Sequence, residues 1–243
     1  MKTLSKTILT VLATGVISCG LLSQRAQAVA VDQILSVDTL AHLSASPNNT
    51  IRIGDKVFNN FSFVASGLTQ FDANLIVVTA SFDPITGTYF LTYGGNISAT
   101  GIAAFAGDLL LNYRVTATAG SIFMIDQLYA GSATPGSFLA IDETARVGAT
   151  VVAHSHLDFI LAGDFSDPPA EANDVLNVNP PQSVLDITKD IALSGPVAGF
   201  VTVSLVSQSF HQTVPDGGSA VALLGIALAG IEGARRILRA RKG

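Results

Sequence analysis

Between Val57 and Phe210 the apolar residues come in short β-branched and aromatic runs, separated by turn residues. A period of two over such runs predicts half-buried strands. In Val57 to Ala65, one set (Val57, Asn59, Phe61, Phe63) alternates with another (Phe58, Asn60, Ser62, Val64). Asn74 to Phe82 is almost continuously apolar and stops at Asp83 and Pro84. Strands are also predicted for Gly87 to Tyr93, Leu109 to Ala117, Ala145 to Ala153, His156 to Ala162, Val184 to Leu193 and Gly199 to Phe210. Eight or more strands without a clear internal helix predict an all-β fold, an antiparallel β-sandwich or jelly roll. Asp32 to Leu43 has the spacing of a short amphipathic helix at its entrance. With no internal repeat and no long linker, residues 29–213 form one extracytoplasmic domain.

The two ends follow other patterns. Lys2 and Lys6 precede an apolar run from Ile8 to Leu22, then Ser23, Gln24, Arg25 and the small-residue triplet Ala26, Gln27, Ala28. This order predicts a signal peptide, residues 1–28, cut after Ala28, with Ala30 as a second choice. Cys19, the single cysteine, follows Val16, Ile17 and Ser18 in a loose match to a lipobox, so a lipidated cysteine is the alternative. Cleavage at Ala28 leaves a chain with no disulfide and no thiol chemistry.

At the other end, Val214, Pro215, Asp216, Gly217 and Gly218 can neither extend a strand nor open a regular helix, which predicts an exposed, cleavable hinge. Gly217 to Ile231 carries no charge, and its apolar residues surround a helix on every side. Such a helix is buried in a core or in lipid. The basic end (Arg235, Arg236, Arg239, Arg241, Lys242) favours lipid, with the cations cytoplasmic. Fifteen residues span only ~23 Å of a ~30 Å hydrocarbon core. Extending the transmembrane helix to about 217–234, with Glu232 reaching the headgroups, brings it closer to spanning. The two signals agree in placing the middle of the chain outside the membrane.

Setting both ends aside changes the charge. Residues 29–213 hold sixteen acidic residues and five basic ones (Arg52, Lys56, Arg114, Arg146, Lys189), so the body is far more acidic than the whole-chain net of −5. Such a surface repels phosphate backbones, which excludes nucleic acid as a partner.

Candidate chemistry is sparse. Asp164, Asp167, Glu171 and Asp174 lie in a proline-containing stretch, an oxygen-rich loop of the kind that can hold calcium, but their spacing fits no EF-hand and a solvated loop is the alternative. His154 and His156 share one strand face, with Asp158 continuing it; a weak metal pair and a polar outer face are both open. Asp142 and Glu143 are adjacent, so on a strand they point to opposite faces and cannot form a glycosidase pair. There is no G-x-S-x-G, H-E-x-x-H or phosphate-binding glycine loop, so no enzyme, catalytic residue, cofactor or firm metal site is expected. Tyr89 and Tyr93, four apart on one strand face, are the best of four tyrosines for stacking a sugar, with core packing as the alternative.

The tail resembles the PEP-CTERM sorting signal in its V-P-D-S-G or V-P-D-G-G form: hinge, short apolar helix and arginine cluster in fixed order. Asp216 stands where the commoner form has Glu, and Glu232 with Gly233 interrupts the usual unbroken helix. Ile53 to Phe63, Val184 to Leu193 and Ser204 to Phe210 with Gln212 look like segments that recur in the outer domains carrying such tails. The resemblance implies recognition by exosortase, an integral-membrane cysteine transpeptidase of Gram-negative bacteria. It also implies a membrane-anchored precursor, cleavage near the hinge, and release to the cell surface or exopolysaccharide matrix. A structural or adhesive role is then expected for the body, the alternative being a carbohydrate-binding module or polysaccharide-acting enzyme.

Overall fold

A computed structural model describes residues 35–166 and 174–213. These residues are almost all strand: β1 (Leu35–Thr39), β2 (Ile51–Ile53), β3 (Lys56–Gly67), β4 (Thr69–Phe71), β5 (Val77–Asp83), β6 (Thr88–Gly101), β7 (Phe105–Ala117), β8 (Ser121–Val147), β9 (Thr150–Ser166), β10 (Leu176–Gln182), β11 (Val184–Gly195) and β12 (Gly199–Thr213). One short helix, α1 (Leu40–Ser44), follows β1, with Thr39 accepting the His42 amide as its N-cap. Where the sequence predicts a helix over Asp32 to Leu43, β1 therefore takes the first described part. The reason is a partner: residues 35–39 pair antiparallel with residues 77–81, and that ladder overrides weak local helix preference.

All twelve strands belong to one antiparallel sheet whose main path runs β1-β5-β6-β12-β8-β11-β7-β3-β2. The all-β, antiparallel expectation holds, but the hydrogen bonding is continuous instead of splitting into two sheets. β8 makes it so. Its residues 121–133 pair with β12 and its residues 138–146 with β11, while β9 runs along most of its other edge. The strand changes partner at Pro135 and Gly136, where φ is +85°, a conformation open to glycine and costly elsewhere. There the β8–β9 register also shifts. The sheet thus folds over, and its halves meet across one core: Phe58 of β3 packs edge-on against Phe210 of β12 at 5.3 Å, and Tyr113 of β7 lies 6.4 Å from Tyr93 of β6.

Strict alternation is broken once with consequence. Asn60, at φ +54°, is an extra residue in β3, and the register with β7 shifts between Asn59 and Ser62. The bulge changes parity, so Phe58 and Phe61 are both buried and Phe63 packs on the core. Sequence alternation places Phe58 on the face opposite Phe61 and Phe63; the bulge brings all three inside.

Candidate functional site

The interior carries charge. On β11 the inward positions read Leu185, Ile187, Lys189, Ile191, Leu193, four aliphatic residues with a lysine in the middle. Lys189 is 1% exposed and its register partner on β8, Glu143, is 0% exposed. Lys189 Nζ donates to Glu143 Oε2 at 2.6 Å and also to Gln127 Oε1. Gln127 Nε2 in turn donates to Ser155 Oγ at 2.7 Å. Gln208 donates its amide to Glu143 Oε1 and accepts the Tyr113 hydroxyl at 2.6 Å. Six polar side chains from β7, β8, β9, β11 and β12, none more than 4% exposed, are thereby joined in the interior.

Burial dominates the electrostatics. It pushes the Lys189 amine below its ordinary value, opposed by the charge and hydrogen bond of Glu143. It pushes the Tyr113 and Tyr93 phenols well above theirs, with Glu143 adding to both. The Tyr93 hydroxyl, beside Glu143, is buried without a hydrogen-bond partner.

A second cluster repeats the arrangement near the end of β12. Lys56 is fully buried, donates to Asp55 Oδ1 at 2.6 Å and to Gln212 Oε1, and sits 4.1 Å over the Tyr89 ring. Burial lowers the Lys56 amine. Burial and the Asp55 charge push the Tyr89 phenol up to about 12.

The outer face of the same strands is acidic. Asp190 of β11 stands opposite Asp142 of β8 and diagonal to Asp108 of β7. A hydrogen bond between two carboxyls requires a proton on one. That bond to Asp108, together with burial and the charges of Asp108 and Asp142, pushes Asp190 up to about 7. Asp142 also faces β9, where Oδ1 lies 3.3 Å from His154 Nε2 and 2.8 Å from His156 Nδ1. The two histidines do share an outward face, and Asp142 stands between them. Among the described residues no group of three or more His, Cys, Asp or Glu is arranged to hold a metal ion.

The other expected sites divide. Asp142 and Glu143 do point to opposite faces. Asp164 is exposed on β9 and pairs with Ser132, whereas Asp174 is buried; Asp167 and Glu171 lie outside the described residues. All four tyrosines are buried, so Tyr89 and Tyr93 offer no exposed platform for a sugar. The signal-peptide residues Ala26 and Ala28, Cys19, the hinge Val214 to Gly218, the apolar helix of about 217–234 and the arginines 235, 236 and 239 also lie outside the described residues. Among the described residues no helix is long and apolar enough to cross a membrane.

The interior clusters were not anticipated from composition. Their signal is parity: Gln127 between Ile125 and Tyr129, Glu143 between Ile141 and Ala145, and Gln208 between Val206 and Phe210 each put a polar residue where the apolar frame points inward.

Solved structures with some likeness share little with this chain. The enzymatically active domain of bacteriophage CBA120 tailspike protein 4 is 13% identical, at a TM-score of 0.29, over 61% of this chain and 19% of that one. A carbohydrate-binding module of the β-sandwich superfamily is 10% identical, at 0.28, over 61% and 54%. A family 29 carbohydrate-binding module in complex with cellulohexaose is 10% identical, at 0.24, over 72% and 91%. The chain thus spans about a fifth of the tailspike domain and about half of the superfamily module. No curated protein matches the chain. Its end does have a match: residues 213–238 carry a VPDSG-CTERM motif, a sorting signal of the PEP-CTERM type that marks an exported, cell-surface protein.

Proposed function

We propose that this chain is a structural or adhesive protein of the bacterial surface or its exopolysaccharide matrix, delivered by its tail. The observation that carries this reading is the motif at residues 213–238, which begins at the last residue of β12. In this reading the tail holds the precursor in the inner membrane. The arginines stop translocation, the short apolar segment positions the hinge, and Pro215 with the two glycines keeps it extended for exosortase to cut. The body itself is a scaffold and catalyses nothing. A folded, acidic sheet whose tyrosines and two of whose five cations are interior supports that role, because its outward groups resist nonspecific association with anionic polymers.

Replacing Pro215 and Asp216 together by alanine tests the reading in a host carrying the processing enzyme. Export should persist while an uncut, membrane-bound form accumulates. Processing at the wild-type rate would sink the sorting assignment.

A further inference from the structure

A lysine amine, a primary amide and a carboxylic acid meet in a sealed core. Lys189 Nζ is hydrogen-bonded to the oxygen of the Gln127 amide and to Glu143 at once. That hydrogen bond sets the amide carbonyl directly beside the amine that is to attack it. The three groups come from different parts of the fold: Lys189 from β11, Gln127 from the part of β8 that pairs with β12, and Glu143 from the part that pairs with β11. We propose that Lys189 and Gln127 join in an intramolecular amide bond, with Glu143 as the proton carrier, which staples the two halves of the sheet together.

The step balances without any other reactant. The Glu143 carboxylate takes a proton from the Lys189 ammonium, leaving a neutral amine whose lone pair attacks Gln127 Cδ. Glu143 returns that proton to the amide nitrogen, which donates to Ser155 Oγ, and accepts the surplus proton of the attacking nitrogen. The old carbon–nitrogen bond breaks. Ammonia departs and carries off the surplus proton as ammonium, so lysine ammonium plus primary amide becomes secondary amide plus ammonium. No electron changes hands and no water is consumed.

The surroundings favour this direction. Burial lowers the lysine toward its reactive neutral form. Exclusion of water removes the competing hydrolysis, and escape of the ammonia removes the reactant that the reverse step would need. Gln208, fixed by the Tyr113 hydroxyl, holds Glu143 through its other oxygen and keeps the acid on the reacting side. Glu143 is a poor acyl group here, since an ionised carboxylate repels a nucleophile and must expel an oxide or hydroxide. The cluster of Lys56, Asp55 and Gln212 has the same three kinds of group, but its amide side chain is only half-buried, so the proposal is confined to the enclosed triad. The benefit is clear from position: 62 residues separate the two ends of the bond, and the described body has no cysteine to supply a disulfide.

Peptide mapping by mass spectrometry of the denatured full chain, purified from its folded state, tests this. The expected product is a branched peptide joining the Gln127 and Lys189 segments, lighter by one ammonia than their sum. It should be absent from Glu143→Gln and Lys189→Met. Unlinked Gln127 and Lys189 peptides from folded wild-type protein would overturn the proposal, whether or not the variants fold. A branch to Glu143 with loss of water would overturn the choice of acyl group, and a normal branch in Glu143→Gln would overturn the proton carrier.

Discussion

Asp142 and Glu143 are neighbours in sequence and face opposite worlds: Asp142 reaches His156 at 2.8 Å on the outer surface, and Glu143 reaches Lys189 at 2.6 Å in the core. A carboxylate therefore has different worth on the two faces. Asp142→Asn should change stability by less than about 1 kcal/mol, as for exposed ion pairs. Lys189→Met leaves the Glu143 carboxylate buried without the Lys189 nitrogen beside it, as amine or as amide, and should cost roughly 3–5 kcal/mol. Adding Glu143→Leu to Lys189→Met should recover part of that loss. Urea denaturation midpoints of the four proteins check the comparison, and equal effects of the two single changes would contradict it.

Asp190 makes stability depend on pH. Its carboxyl is raised to about 7 when folded, against an ordinary value near 4. The folded state therefore binds a proton that the unfolded chain has lost. This contribution is fully present below the ordinary carboxylate pKa of about 4, and it is lost as pH rises through about 7. Asp190→Asn should flatten the stability profile between those limits and stabilise the protein above pH 7. Thermal melts from pH 4 to 8 give the comparison; an unchanged slope would rule out Asp190 as its source.

Gly131 is a point of close approach. A methyl group added there would meet the Thr202 carbonyl oxygen at 2.0 Å and the Phe165 ring at 2.6 Å. The oxygen is backbone, so relief requires β8 and β12 to move apart. Gly131→Ala should cost about 1–3 kcal/mol or more and lower Tm by several degrees. Gly94→Ala is the control for general glycine effects: its φ is outside the left-handed region and an added methyl meets nothing closer than the Val77 carbonyl oxygen at 3.9 Å.

What the sequence revealed depended on the range of the interaction. Residues whose role is set by near neighbours were legible: the alternation around Leu109 to Ala117 gives β7, and the adjacency of Asp142 and Glu143 puts them on opposite faces. The bulge at Asn60 was not, because an extra residue in one strand is defined against the β7 register, which no local pattern records. Lys189 illustrates a middle case. Its inward parity is visible in Ile187, Lys189 and Ile191, yet its partners stand 46 and 62 residues away, and only the fold-over of β8 brings Glu143 and Gln127 to it together. The tail was the reverse: a short segment whose order of hinge, apolar run and arginines is the whole signal.

The position of β12 has a mechanical consequence. This last strand is hydrogen-bonded on both edges, to β6 over residues 199–210 and to β8 over residues 201–213, and Thr213 is still paired with Ser121. A pull applied through the chain beyond Thr213 is directed along the strand, so the two ladders are loaded in shear, with many bonds sharing the tension at once. A strand at the edge of the sheet would instead unzip one bond at a time. The body is thereby built to stay folded while held by its end.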